Sequence, residues 1–317
     1  MHETGKGREL RMTRLLIDTD PGVDDALAIL MAHREARVEG LCIAAGNVGL
    51  AHTTRNALKL VETIGADTPV YVGCSSPLVL PAPGAGFVHG EDGFGDTAYL
   101  APSRGAEREH AAQAIVRLAR ENPGELTLVA LAPLTNLALA LRLDPDLPSR
   151  FAKLVVMGGA VTGRGNIHHV PVEFNIGFDP EAAHVVFSGW PEFDLIDWEA
   201  CVRHAMPFER FDRLLAEGGA HADFYAAIVR KARAFNAGRG HGMIVADALA
   251  MAVALEPAMV RRAERHHVGI ELAGGLTRGA TVVDWDDRMG QPANARIVLE
   301  VDQERFEALV AQALGAA

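Results

Sequence analysis

The sequence predicts an α/β fold with a mostly parallel central sheet flanked by helices, and three observations carry that prediction. Short apolar runs rich in β-formers alternate with amphipathic stretches of helix length, the pattern of repeated βαβ units. Apolar residues make up 49 % and charged residues 22 % of 317, close to a globular average, so disordered, collagen-like and coiled-coil classes are excluded. The polar residues that break the pattern fall just after the apolar runs, where parallel sheets place their ligands.

The first strand is read at Arg14–Thr19 and is followed by a helix from about Pro21 to His33. Val38–Ala45 is the second strand, with a helix over Ala51–Gly65 behind it. Val70–Gly73, Leu126–Leu131, Leu154–Met157 and Phe193–Ile196 continue the strands, and helices are expected over Arg108–Arg120, from Leu134 and from Pro180. From Pro207 to Leu255 the period is helical, with helices at Pro207–Ala216, Ala222–Phe235 and Val245–Leu255. Three strand-like runs follow, Val268–Leu272, Thr281–Asp284 and Arg296–Val301, and a helix at Glu304–Ala313 closes the chain. Cys74–Ala106 and Gly158–Gly177 are long, irregular and rich in Gly, Pro and His, as binding loops tend to be. Residues 1–12 are expected to be a disordered extension, and 13–317 a single domain.

Charge and cysteine usage narrow the partners. A net charge of −11 disfavours nucleic acid and anionic membranes, both of which call for cations. Cys42, Cys74 and Cys201 are odd in number and widely spaced, which fits a reducing, cytoplasmic setting and suggests neither a disulfide framework nor a zinc site. The N-terminus lacks the apolar stretch of a signal peptide, and Leu126–Leu141 is too short and too polar to span a bilayer.

The chemistry concentrates at the end of the first strand, in Asp18-Thr19-Asp20-Pro21-Gly22-Val23-Asp24-Asp25. Pro21 as first helical residue and Asp20 as N-cap would place Asp24 and Asp25 near the positive end of a helix dipole. One or two acids there need be no more than caps. Four carboxylates in eight positions repel one another unless a cation or shared protons offset them, and hard oxygens in that number suit Ca²⁺ or Mg²⁺ better than zinc. An aspartyl-phosphatase reading fails because Gly22 stands where that motif has Thr or Val, and because the chain offers no obvious catalytic lysine beyond Lys153 and Lys231. Elsewhere, plain structural roles compete with functional ones. Asn166 and Asn175 suit turns, Glu173 a solvated loop, Asp247 the N-cap of Ala248–Leu255, Asn136 a helix start and Met157 the core.

DTDPGVDDALA resembles the N-terminal signature of the nucleoside hydrolases, the calcium-dependent N-ribohydrolases of inosine-uridine-preferring type. The likeness continues in order through Gly46-Asn47, His89-Gly90-Glu91-Asp92-Gly93, Leu131–Ala138, Val155–Ala160, Asn166, Glu173-Phe174-Asn175, Asp179–Ala183 and Asp247. The resemblance implies an open Rossmann-type architecture and hydrolysis of ribonucleosides to base and ribose in nucleoside salvage. It implies Asp20 as the general base acting on water. Ca²⁺ would be held by Asp20, Asp25, Asp247 and the Leu131 carbonyl. Ribose would be held by Asp24, Asn166, Glu173 and Asn175, with Met157 and Asn47 helping, and Asp18 would lie behind them. The assembly expected is a homodimer or homotetramer.

One position departs from the pattern. Many members carry a His immediately before the last metal aspartate, and here it is Ala246. His241 and His89 are then the candidate acids for the leaving base, and Phe174 or Trp198 its stacking partners, while His168 and His169 lie in the second long loop. The departure also keeps open a ribose- or nucleoside-binding protein without turnover, and a hydrolase of another N-ribosyl compound.

Overall fold

The computed structural model describes residues 12–316, so the expected extension over 1–12 lies, apart from Met12, outside the described residues. Nine strands form one sheet in the order β3-β2-β1-β4-β5-β6-β9-β7-β8. They are β1 (Arg14–Thr19), β2 (Arg37–Ile43), β3 (Val70–Val72), β4 (Leu126–Ala130), β5 (Lys153–Met157), β6 (Phe193–Ile196), β7 (Val260–Ile270), β8 (Thr281–Asp284) and β9 (Ala295–Val301). The seven from β3 to β9 run parallel, and β7 and β8 add antiparallel to that side. The helices are α1 (Val23–Glu35), α2 (Leu50–Ile64), α3 (Gly86–His89), α4 (Ala111–Glu121), α5 (Thr135–Leu143), α6 (Phe174–Phe178), α7 (Pro180–Gly189), α8 (Trp198–Arg203), α9 (Phe208–Glu217), α10 (Ala220–Ala237), α11 (Ala246–Leu255) and α12 (Gln303–Leu314).

The alternation of β1 shows how the sheet is covered. Leu15 and Ile17 join the core formed with α1, α11 and α12, whereas Leu16 joins the core formed with α4, α5 and α7. A strand buried on both faces reads as a continuous apolar run, which is why RLLIDT was legible. The same alternation aims the residues that follow. Asp18 shares the face of Leu16 and meets α5, while Thr19 shares the face of Ile17 and meets α1. Strand order reverses between β1 and β4, so the carboxyl ends of these two strands flank the crevice where open α/β sheets bind ligands.

The structure corrects several boundaries. Helix α1 begins at Val23 with Gly22 as its N-cap, so Asp20 and Pro21 belong to the preceding loop and Asp20 is not a cap. Asp25 performs that task instead, accepting from Gly22 N at 3.0 Å. Asp247 lies inside the first turn of α11, whose N-cap is Val245. Strand β7 starts at Val260, eight residues before the predicted Val268. Over VRRAERH it pairs with β9, and β8 covers it only from His267, so this exposed edge carries charges that keep foreign strands away and erase the apolar period. The long loops also contain the short helices α3 and α6.

Candidate active site

Beyond the carboxyl ends of β1, β4 and β5 opens a cavity of about 410 Å³, the size of a small-molecule site. Its lining brings together Asp24, Asn47, His89, Leu131, Met157, Asn166, Glu173, Phe174, Asn175, Trp198, His241 and Asp247. Asp20 and Asp25 lie just under this lining and are fully buried. His168 and His169 stack on one another, ring centroids 4.2 Å apart, and do not face the cavity.

The floor is built around Asp25. Its Oδ1 accepts from Thr19 Oγ1 at 2.5 Å and Asp20 N at 3.3 Å, and its Oδ2 from Gly22 N and Asn47 Nδ2, each at 3.0 Å. Asp20 Oδ2 takes the Asn47 N–H at 2.6 Å, which requires the chain at Gly46 to pass very close. A Cβ on Gly46 would stand 2.1 Å from Asp20 Oδ2, so only glycine fits there. Behind them Asn136 links the Asp18 carboxylate to Cys74 N, at 2.9 and 2.8 Å, so this asparagine does stand at a helix start, in the first turn of α5, but its side chain ties that start to the sheet's end.

What these bonds leave unmade is informative. Asp18 Oδ2, Asp20 Oδ1 and Asp24 Oδ1 are buried without a hydrogen-bond partner, an expensive condition for a carboxylate. One oxygen from each of Asp24, Asp25 and Asp247 falls within 4.8 Å of the others. Burial first, then the neighbouring carboxylates, pushes Asp20 and Asp247 well above the usual range, and burial raises Asp18 to about 7. Closely packed hard oxygens with unused lone pairs fit a divalent cation. Asp24 thus joins Asp25 and Asp247 in the cluster, while Asp20, read from the sequence as a further ligand, stays outside this group with one buried oxygen unpartnered.

The side wall is polar and preorganised. Glu173 caps α6, accepting from Asn175 N at 2.9 Å and Ile176 N at 3.2 Å, and it also takes Gly159 N at 3.0 Å. Burial nevertheless lifts it to about 7. Asn166 Oδ1 accepts from Phe174 N at 2.8 Å, and Asn175 Nδ2 donates to the Leu131 carbonyl at 2.7 Å, whose second lone pair stays available. His89 Nδ1 accepts from Val23 N at 3.1 Å, which assigns the ring hydrogen to Nε2. Burial lowers His89 to about 4, so it is a neutral donor near pH 7.

Facing this is a wall that sequence reasoning did not single out, formed by Phe87, Phe235, Arg239 and Ile244. Phe235 closes the predicted helix, but Arg239 lies two residues beyond the end of α10, so no local pattern in the sequence aimed it at the cavity. Trp198 lines the cavity, whereas Trp190 packs on Phe151 and Trp285 on His266, away from it.

A cavity at the topological switch point, floored by acids that call for a cation and walled by amide and carboxylate groups suited to hydroxyls, defines a metal-assisted hydrolase of sugar derivatives. The family described as inosine-uridine preferring nucleoside hydrolase matches residues 15–308. The chain is 35 % identical over 314 residues to the inosine-uridine preferring nucleoside hydrolase of Crithidia fasciculata, covering 95 % of this chain and 97 % of that one. It is also 35 % identical to a non-specific ribonucleoside hydrolase of Klebsiella pneumoniae, covering 96 % and 98 %. Among solved structures, an inosine-guanosine nucleoside hydrolase superposes with a TM-score of 0.90 at 33 % identity, covering 96 % and 98 %. The chain belongs to the nucleoside hydrolase family and is an N-ribohydrolase. No helix among the described residues is long and apolar enough to cross a membrane.

Proposed function

We propose that this protein cleaves the N-glycosidic bond of ribonucleosides with Ca²⁺ as its resident ion, held by Asp20, Asp25, Asp247 and the Leu131 carbonyl, with Asp24 alongside. The observation that carries this reading is the partnerless, buried Oδ1 of Asp20 beneath an all-oxygen cluster at the switch point. When bound, Ca²⁺ supplies positive charge that lowers the pKa of water and orients ribose hydroxyls. Asp20, whose carboxyl burial and the neighbouring Asp25 push well above the usual carboxylate range, is suited to take the proton of the attacking water. Asp24, Asn166, Glu173 and Asn175, with Asn47 and Met157 beside them, hold the ribose. Amides both donate and accept, and carboxylates accept, so together they match a cis-diol. Fixed carboxylates also favour the oxocarbenium-like sugar of the transition state.

The leaving base meets Phe174 and Trp198 as stacking surfaces and His89 and His241 as donors. Because His89 is neutral, it contributes a hydrogen bond from Nε2 and not an imidazolium proton. Residues 13–317 act as one domain, in keeping with a single sheet of nine strands, and we expect a cytoplasmic homodimer or homotetramer. Light scattering on the eluted peak reads the assembly.

Reducing-sugar release from inosine, adenosine, uridine, cytidine and nicotinamide riboside, with and without chelator, tests the activity. Release abolished by chelation and restored by Ca²⁺ is expected, with deoxynucleosides poor. Ala246 favours a second reading, a nucleoside-binding protein without turnover. Ligand-dependent thermal stabilisation with no ribose released from any substrate would establish that reading instead.

A further inference from the structure

The wall opposite the acids holds a cation with nothing to pair with. Among the described residues the Arg239 guanidinium makes neither a hydrogen bond nor an ion pair, in a chain whose net charge is −11. It is placed by stacking instead: its Cζ stands 4.3 Å from the centroid of the Phe235 ring, which meets Phe87 edge-on at 5.7 Å. All three side chains line the cavity, as do Asp247 and Ala246, whose side chain is only a methyl group. Depth orders the two ends. Asp247 is 3 % exposed, whereas Arg239 is exposed at the mouth, so a nucleoside whose ribose sits on the acids directs its base toward the guanidinium.

We propose that Arg239 is the residue that recognises the base and takes up the charge it develops on departure, and that it favours 6-oxopurine ribonucleosides. This rests on the N-ribohydrolase reading and deepens it. The C1′–N9 bond breaks with its electron pair going to the base, the water oxygen bonds to C1′, and the water proton passes to Asp20. The purine anion is neutralised by a solvent proton, and Arg239 keeps its own proton throughout. A guanidinium stays charged at any working pH, so it stabilises the anion without titrating. Its planar fork matches two adjacent acceptors, and a 6-oxopurine presents O6 and N7 in that arrangement, whereas adenine offers an amino donor at position 6. The same role explains how leaving-group assistance survives with Ala246 in place of a histidine.

The test compares wild type with Arg239→Met, which keeps a stem against Phe235, on inosine, adenosine and p-nitrophenyl β-riboside. We expect kcat/KM on inosine to fall about 10- to 100-fold in the variant, as for loss of one bidentate base contact. Adenosine should fall less than about threefold, and the nitrophenyl riboside, whose phenolate departs unaided, far less than inosine. The wild-type kcat for inosine should show no alkaline decline between pH 7 and 9. Equal losses on all three substrates, or no loss on inosine, would overturn the proposal. Should wild type release no ribose from any of them, the N-ribohydrolase reading fails separately, and calorimetry reads the same contrast. Inosine affinity lost in the variant while adenosine affinity persists supports the Arg239 assignment, and unchanged inosine affinity overturns it.

Discussion

The two walls of the cavity hold their side chains by opposite means. On the acidic side Asp25 is fixed by four hydrogen bonds and Glu173 by three backbone N–H groups, and these carboxylates are buried. On the other side Phe87 is 67 % exposed and Arg239 and His241 reach solvent, with Phe87 and Arg239 both resting on the Phe235 ring. The contrast suits the roles proposed for the two walls, sugar and water on one and base on the other. A sugar ring and a water must be positioned to fractions of an ångström, whereas bases differ in size and need a surface that can yield.

The largest effect should come from the acidic wall. Asp20→Asn is expected to fold with an unchanged circular dichroism spectrum and to lose about 10³-fold in kcat, since it removes the proton acceptor while keeping its shape. Retention of full activity would move the base elsewhere. Gly46→Ala should follow. Its methyl group drives against Asp20 Oδ2 and Pro133, and overpacking of this kind costs about 1–3 kcal/mol in a denaturant melt with a parallel fall in activity. Chelation should lower the melting temperature and added Ca²⁺ restore it, by about 2.7 kcal/mol at a hundredfold excess over Kd. By comparison Phe87→Ala on the yielding wall should shift stability by no more than about 0.5 kcal/mol.

A finer probe is pH. Glu173 binds its proton up to about 7 in the folded chain, above the roughly 4.3 of an unfolded glutamate. Its contribution to stability is therefore complete below about pH 4 and is lost as pH rises through 7. Glu173→Gln never ionises, so its melting deficit against wild type should shrink between pH 5 and pH 8. A deficit independent of pH would mean that burial does not perturb this carboxyl.

The same division decides what could be read from sequence. RLLIDT, the acids after it and the order of later motifs were legible because a strand buried on both faces and a crowd of like charges each leave a local mark. Asp25 as the capping partner of Gly22 was not, because a first-turn acid reads alike whether it caps or binds an ion. Asn136 was read correctly as part of a helix start, but its side-chain bonds were hidden because the partners, Asp18 and Cys74, are distant in the chain. The early start of β7 was hidden by its charged edge. Arg239 lies past the end of α10 and carried no local signal, and the meeting of Phe235 with Phe87 depends on how α10 packs against α3, a tertiary fact.

Helix α11 carries Asp247 into the site, and every residue from Ala246 to Ala254 is buried. It lies between α1 and the strands β4 and β5, so no side of it is free to relax toward water. The Asp247 carboxylate proposed to hold the ion is in effect mounted on a piston seated in the core, its height set by side chains a turn or more away. Trimming fully buried Met251 or Leu249 by a methylene or two would thus shift the piston and change cation affinity, although neither residue touches the cavity. On the proposed reading, affinity for the ion would be tuned from the hydrophobic interior as much as from the acids that face the cavity.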